Sequence, residues 1–179
     1  MSEPSPKRCI FFDRDGVVNL SPGKGYVLSW SQFKFTPGIQ FILQKARAMD
    51  WQTVLITSQR GVGKGLMSAS DLDNIHSEMQ NRLAQAGAAF DAIYAYTETS
   101  DCPHSPKPDP EMLLTASREL GIKLEQSWMI GDSDRDIVMG RAAGLKGCIR
   151  FLSDKLPEVD ADYTVSDTLV LGEVLKEIL

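Results

Sequence analysis

The chain has 179 residues, 42% of them hydrophobic and 24% charged, enough apolar content for a single domain over residues 1–179 with a sizeable core. Its 19 basic and 24 acidic residues leave a formal charge of -5, which offers DNA or RNA no electrostatic footprint. No run of about 18 apolar residues is present to cross a bilayer, residues 1–8 form a polar start without an apolar signal core, and cysteines 9, 102 and 148 are too scattered for a disulfide framework. The expectation is a cytoplasmic chain, monomeric by default, with no nucleic-acid or membrane partner.

The first predicted strand, residues 9–13, is the apolar run Cys9-Ile10-Phe11-Phe12, and it ends on Asp13-Arg14-Asp15-Gly16. In open α/β sheets ligands sit just beyond the carboxyl ends of the strands. Alternation of side chains lets Asp13 and Asp15 face one crevice while Arg14 turns away, and Gly16 permits a tight turn beside a ligand. Two carboxylates so spaced suggest a nucleophile and a proton carrier. After Pro37-Gly38, the spacing of Ile39, Ile42, Leu43 and Ala46 predicts a helix.

The second strand, residues 52–57, ends on Thr57-Ser58-Gln59, hydroxyls and an amide suited to phosphoryl oxygens. Gly61-Val62-Gly63-Lys64-Gly65 has the look of a nucleotide phosphate loop, but that pattern needs glycine at 58 and a hydroxyl at 65, where this chain has Ser58 and Gly65. A helix starting near Ser70 follows, with Leu72, Ile75, Met79 and Leu83 on one face. A third strand fits residues 92–96. Lys107 then lies in the proline-stiffened loop Ser105-Pro106-Lys107-Pro108-Asp109-Pro110, with Asp109 as the expected N-cap of a helix that Gly121 ends.

The strand at 127–131 delivers Gly131-Asp132-Ser133-Asp134-Arg135-Asp136, an acidic cluster suited to a hard divalent cation. A helix from Asp136 to Ala143, stopped by Gly144, a strand at 147–152 and a short one at Tyr163-Thr164-Val165 complete the reading. This alternation implies a Rossmann-like three-layer α/β/α sandwich around a central parallel sheet. Residues 16–35 and 61–70 are too short for a separate cap, so the site is expected to be capless or minimally capped and roofed by loops.

The order Asp-x-Asp-Gly, Thr/Ser, Lys, Gly-Asp-x-x-x-Asp resembles the haloacid dehalogenase (HAD) superfamily of Mg-dependent phosphotransferases from about Lys7 to about Ser153. Asp13-Arg14-Asp15-Gly16-Val17-Val18-Asn19, Gly25-Tyr26-Val27 and Phe33-Lys34-Phe35-Thr36-Pro37-Gly38 are similar to its branch of D-glycero-D-manno-heptose 1,7-bisphosphate and histidinol-phosphate phosphatases. Residues 57–65 are similar to that branch's Thr-Asn-Gln-Ser-Gly pattern, with departures at Ser58 and Arg60.

The resemblance implies a phosphomonoester hydrolase in which Asp13 forms an aspartyl-phosphate and Asp15 is general acid and then base, with Thr57 and Lys107 stabilising the phosphoryl group. Mg²⁺ would be held by Asp13, the backbone carbonyl of Asp15, and Asp132, with Asp136 or Asp134 acting directly or through water. The expected partner is a small phosphorylated metabolite, a sugar phosphate or bisphosphate. The alternatives are histidinol phosphate, a broad set of phosphomonoesters, or, in another class, phospho-ligand binding without catalysis.

Thr57, Ser58, Gln59 and Lys107 form the expected phosphate-binding set, and Arg60, Lys64 and His104 are the loop residues able to meet a second anionic group. The branch also implies a structural zinc held by a Cys-x-His element and a Cys-x-Cys element. Here Cys102-Pro103-His104 keeps the first, but Ser105-Pro106-Lys107-Pro108 follows at once, so zinc is not expected.

Overall fold

The computed structural model describes residues 7–154 and 156–179; the polar start at residues 1–6 lies outside them. In chain order the elements are β1 (Cys9–Phe12), α1 (Ile39–Ala48), β2 (Gln52–Ser58), α2 (Ala69–Gln85), β3 (Ala92–Tyr96) and α3 (Glu111–Leu120). They continue with β4 (Trp128–Gly131), α4 (Asp134–Ala142), β5 (Gly147–Phe151), β6 (Tyr163–Val165) and α5 (Thr168–Ile178). The six strands form one parallel sheet in the order β3-β2-β1-β4-β5-β6. The chain winds outward from β1 in one direction, returns to its other side at β4, and winds outward again. That reversal opens a crevice between the carboxyl ends of β1 and β4.

Burial on both faces explains why the central strands read as continuous apolar runs. Within β1, Ile10 and Phe12 point into a core built with Ile42, Leu43, Ile75, Met79, Leu171 and Leu175 from α1, α2 and α5. Cys9 and Phe11 point the other way, onto Met112, Leu113, Ala116, Ile137 and Met139 from α3 and α4. The sandwich is therefore three-layered, with α1, α2 and α5 on one face and α3 and α4 on the other.

The expected strands match to within a residue at their ends. The helix starts differ for reasons of capping. α4 begins at Asp134, two residues earlier than read, because Ser133 and Asp136 form a reciprocal capping box. α3 starts after Pro110, and Asp109 accepts instead from the backbone N–H of Glu111 at 2.9 Å. α5 was absent from the sequence reading, although Asp167 accepts from the N–H groups of Leu169 and Val170, and Leu171 and Leu175 are buried at helical spacing.

Between β1 and α1 the chain forms loops and one short 3₁₀ turn at Trp30–Gln32, pinned by the mutually packed rings of Trp30, Phe33 and Phe35. The site is roofed by these loops. Among the described residues no helix is long and apolar enough to cross a membrane.

Candidate active site

The face alternation of β1 continues past its last residue and sorts the residues of the first motif. Asp13, in phase with Phe11, turns toward α3 and α4; Arg14, in phase with Phe12, turns toward α2. Asp13 is tied to β4 by a backbone hydrogen bond from its N–H to the carbonyl of Ile130 at 2.9 Å. Asp132 follows β4 directly, so the two strands that flank the crevice each present a carboxylate.

Asp136 comes from the first turn of α4 and is fully buried. It reaches the crevice because α4 packs hard on the end of β4: a Cβ at Gly131 would lie 2.2 Å from that of Asp136. Gly16 is needed for a similar reason. Its φ of +92° and the 2.4 Å that would separate a Cβ from Asp132 Oδ2 exclude any side chain there. Carboxylate oxygens of Asp13, Asp132 and Asp136 all lie within 4.8 Å of one another, an all-oxygen, partly buried donor set that fits a hard divalent cation.

Lys107 arrives from the loop before α3, buried, with Nζ 2.7 Å from both Asp13 Oδ1 and Asp136 Oδ1. Burial disfavours its charge, but the two carboxylates outweigh that cost and hold its pKa above the ordinary lysine value. Burial pushes Asp13 up to about 8, opposed by Lys107 and reinforced by Asp136 and Asp132. Lys107 therefore stays cationic, and Asp13 is the crowded carboxylate that a cation among the three would restore to its ionised form.

Asp15 lines the same cleft as Asp13, with about a quarter of its side chain exposed. Three side chains fix its carboxylate: Arg14 at 3.2 Å to both oxygens, Asn19 at 2.9 Å and Gln59 at 2.8 Å. Arg14 does turn away from the crevice, as expected, but its fully buried guanidinium comes back beneath Asp15. It also donates to Gln59 Oε1 at 2.9 Å and lies 3.2 Å from His76 Nε2 on α2. Arginine only donates, so His76 Nε2 must accept and the ring is neutral.

Burial and the adjacent Arg14 charge pull the His76 pKa down to about 3. In the unfolded chain it titrates near 6.5. Between these values the unfolded state holds more protons, so this histidine's contribution to stability is complete above pH 6.5 and is lost as pH falls toward 3. In urea unfolding at pH 7 and pH 5, the wild type is expected to lose about 2 kcal/mol more than His76→Gln, which keeps an acceptor for Arg14. Equal losses would mean that His76 is not held neutral.

The structure brings Asp13, Asp15, Ser58, Lys107, Asp132 and Asp136 together around a cleft of about 140 Å³. Thr57 stands buried at the end of β2 with its hydroxyl accepting from Gln59 Nε2 at 2.8 Å. Ser58 lines the cleft, and its buried Oγ makes no hydrogen bond to the described residues. Gln59 is buried outside the cleft lining, its amide hydrogen-bonded to Arg14, Asp15 and Thr57.

Arg60, Lys64 and His104 do not line the cleft. Arg60 pairs with Glu98 at 3.7 Å and lies over the Tyr96 ring, Lys64 donates to Tyr26 Oη at 2.8 Å, and His104 packs on Tyr94 with Nδ1 3.2 Å from Glu111. Cys102 Sγ is turned to the backbone of Ala95 and Thr97. Asp134 faces away, bound to Arg150 at 2.6 Å. The cleft is also lined by residues that were given no site role from sequence, among them Ser21, Tyr26, Ser133 and Arg135. Arg135 had a signal, a basic residue inside the acidic cluster, but without the helix start its direction was undetermined.

Residues 18–144 match the family model described as haloacid dehalogenase-like hydrolase. The D-glycero-beta-D-manno-heptose-1,7-bisphosphate 7-phosphatase of Pasteurella multocida is 33% identical over 95% of this chain and 97% of its own length. The D-glycero-alpha-D-manno-heptose-1,7-bisphosphate 7-phosphatase of Mycobacterium tuberculosis is 36% identical over 78% of this chain and 76% of its own. A crystal structure of D,D-heptose 1,7-bisphosphate phosphatase from B. bronchiseptica, complexed with magnesium and phosphate, superposes with a TM-score of 0.83. It is 28% identical and covers 96% of this chain and 99% of that one.

Proposed function

The chain belongs to the haloacid dehalogenase-like hydrolases, and from that membership we propose that it is a Mg²⁺-dependent phosphatase of a heptose 1,7-bisphosphate or a close sugar bisphosphate. The observation that carries the reading is Asp13 at the end of β1, 2.7 Å from the buried Lys107 and clustered with Asp132 and Asp136. Relatives named as heptose-bisphosphate 7-phosphatases over nearly the whole chain support the substrate class. Residues 1–179 are read as one catalytic domain.

Asp13 attacks phosphorus as the bond to the sugar oxygen breaks, giving an aspartyl-phosphate and splitting one hard displacement into two easier ones. Asp15 gives its proton to the departing alkoxide and later takes one from the water that releases inorganic phosphate. Lys107, Thr57 and the free hydroxyl of Ser58 meet the equatorial phosphoryl oxygens, where charge is spread in the transition state. A Mg²⁺ ion bound by Asp13, Asp132, Asp136 and the backbone carbonyl of Asp15 would supply positive charge that offsets repulsion between nucleophile and phosphate.

Phosphate release from heptose 1,7-bisphosphate, histidinol phosphate and p-nitrophenyl phosphate, each with Mg²⁺ or with EDTA, tests this. The bisphosphate is expected to lead in kcat/KM by roughly tenfold or more, with EDTA silencing all three. A lead for histidinol phosphate would reassign the substrate. No turnover of any ester would point to a binding protein.

A further inference from the structure

The catalytic cleft, about 140 Å³, is smaller than the roughly 300–1,000 Å³ of ordinary small-molecule sites. It has room for a phosphoryl group but not for a sugar carrying two. A bisphosphate must therefore place its second, non-reacting phosphate outside the cleft, at the rim or in the adjoining cavity that shares Ser21, Gly23 and Asp132 with it, and a phosphate dianion there needs a cation with donors to spare.

Among the described residues two cations line the cleft, Lys107 and Arg135. Lys107 is already engaged by Asp13 and Asp136. Arg135 is exposed, and no carboxylate of the described residues lies within salt-bridge distance of it. Its sequence neighbour Asp134 is turned the other way, held by Arg150 at 2.6 Å and by the N–H groups of Glu158 and Val159. The first turn of α4, locked by the Ser133–Asp136 capping box and by the burial of Asp136, sets the point from which Arg135 projects.

We propose that Arg135 receives the second phosphate of the substrate and so sets the preference for a bisphosphate over a monophosphate. This inference rests on the phosphatase reading above. A planar guanidinium matches a phosphate with two parallel N–H donors, which suits recognition of a terminal group. The other loop cations lie outside the cleft lining, Arg60 paired with Glu98 and Lys64 donating to Tyr26. A competitor among the described residues is Lys24, which lines an adjoining cavity of about 500 Å³ with Leu20 and Leu152.

The test is the ratio of kcat/KM for heptose 1,7-bisphosphate to that for heptose 7-phosphate, measured with Mg²⁺ in wild type, Arg135→Gln, Arg135→Lys and Lys24→Gln. The ratio is expected to fall roughly 10- to 100-fold in Arg135→Gln, the scale of a lost charge-assisted hydrogen bond, and to recover in part in Arg135→Lys. A ratio unchanged in Arg135→Gln would overturn the proposal and leave the phosphatase reading standing. A collapse confined to Lys24→Gln would overturn it by moving the second phosphate into the adjoining cavity. If the wild type turns over neither sugar, the phosphatase reading fails first and the proposal falls with it.

Discussion

Asp13→Asn is expected to lower kcat by about 10⁴-fold or more, because an amide of the same shape neither attacks phosphorus nor carries the charge that a cation and Lys107 are placed to balance. The fold should survive. Burial and two neighbouring carboxylates already push Asp13 up to about 8, so a neutral group at this position removes an unfavourable charge, while Lys107 keeps Asp136 as a partner 2.7 Å away. Thermal unfolding in EDTA should therefore give a Tm equal to or above that of the wild type. With Mg²⁺ the order should reverse, since one of three clustered carboxylates is gone. Activity within about 100-fold of wild type would mean that the nucleophile is another group.

Lys107→Met should damage both stability and turnover. The side chain is almost fully buried between Asp13 and Asp136, and its removal leaves two carboxylates facing each other in a low-dielectric site. Breaking a buried ion pair in this way costs about 3–5 kcal/mol, which for a chain of this size is roughly a 10 °C fall in Tm in EDTA. Turnover should drop about 10³-fold through loss of phosphoryl charge stabilisation.

The loss should also depend on pH. Without Lys107 the folded-state pKa of Asp13, already raised, rises further, so over a window from about 4 upward the folded protein holds more protons than the unfolded chain. Stability of both proteins then declines with rising pH up to about 8, where Asp13 ionises in the wild type but not in Lys107→Met, so the deficit should be nearly constant from about pH 5 to 7 and widen above about pH 8. Saturating Mg²⁺ should restore part of the Tm by supplying the missing positive charge. A deficit below about 1 kcal/mol at pH 8 in EDTA would show that the Asp13–Lys107–Asp136 triad is solvated and not buried.

Much of this arrangement was legible before any coordinates. Central parallel strands buried on both faces announce themselves as short apolar runs, which is why residues 9–13, 52–57, 92–96, 127–131 and 147–152 fall on observed strands. Residues placed directly after such strands inherit a position at the carboxyl edge of the sheet, so Asp13, Ser58 and Asp132 could be assigned to one crevice from spacing alone.

What stayed hidden depends on contacts between distant segments. Gln59 follows the same strand as Ser58, yet Arg14 and Asp15 occupy its amide. Arg60, Lys64 and His104 looked like open cations because their partners Glu98, Tyr26 and Glu111 come from elsewhere in the chain or across a turn. Nothing local marks His76 as the partner of Arg14 some sixty positions earlier. α5 is no shorter than α1, α3 or α4, and its local signals, the cap at Asp167 and the spacing of Leu171 and Leu175, are of the same kind as theirs.

The strand order also bears on how the protein emerges from the ribosome. β1 is synthesised first and meets β2 early, but the neighbour on its other side is β4, which arrives only after two further strand–helix units. Until then the nascent chain carries a strand of Cys9, Ile10, Phe11 and Phe12 with one edge open, the kind of segment that invites pairing with a foreign strand. Insertion of β4 closes that edge and, in the same event, brings Asp132 and the start of α4 up to Asp13. Closure of that edge and the first appearance of a complete acidic cluster thus coincide, so an assembled cluster reports that the centre of the sheet has closed.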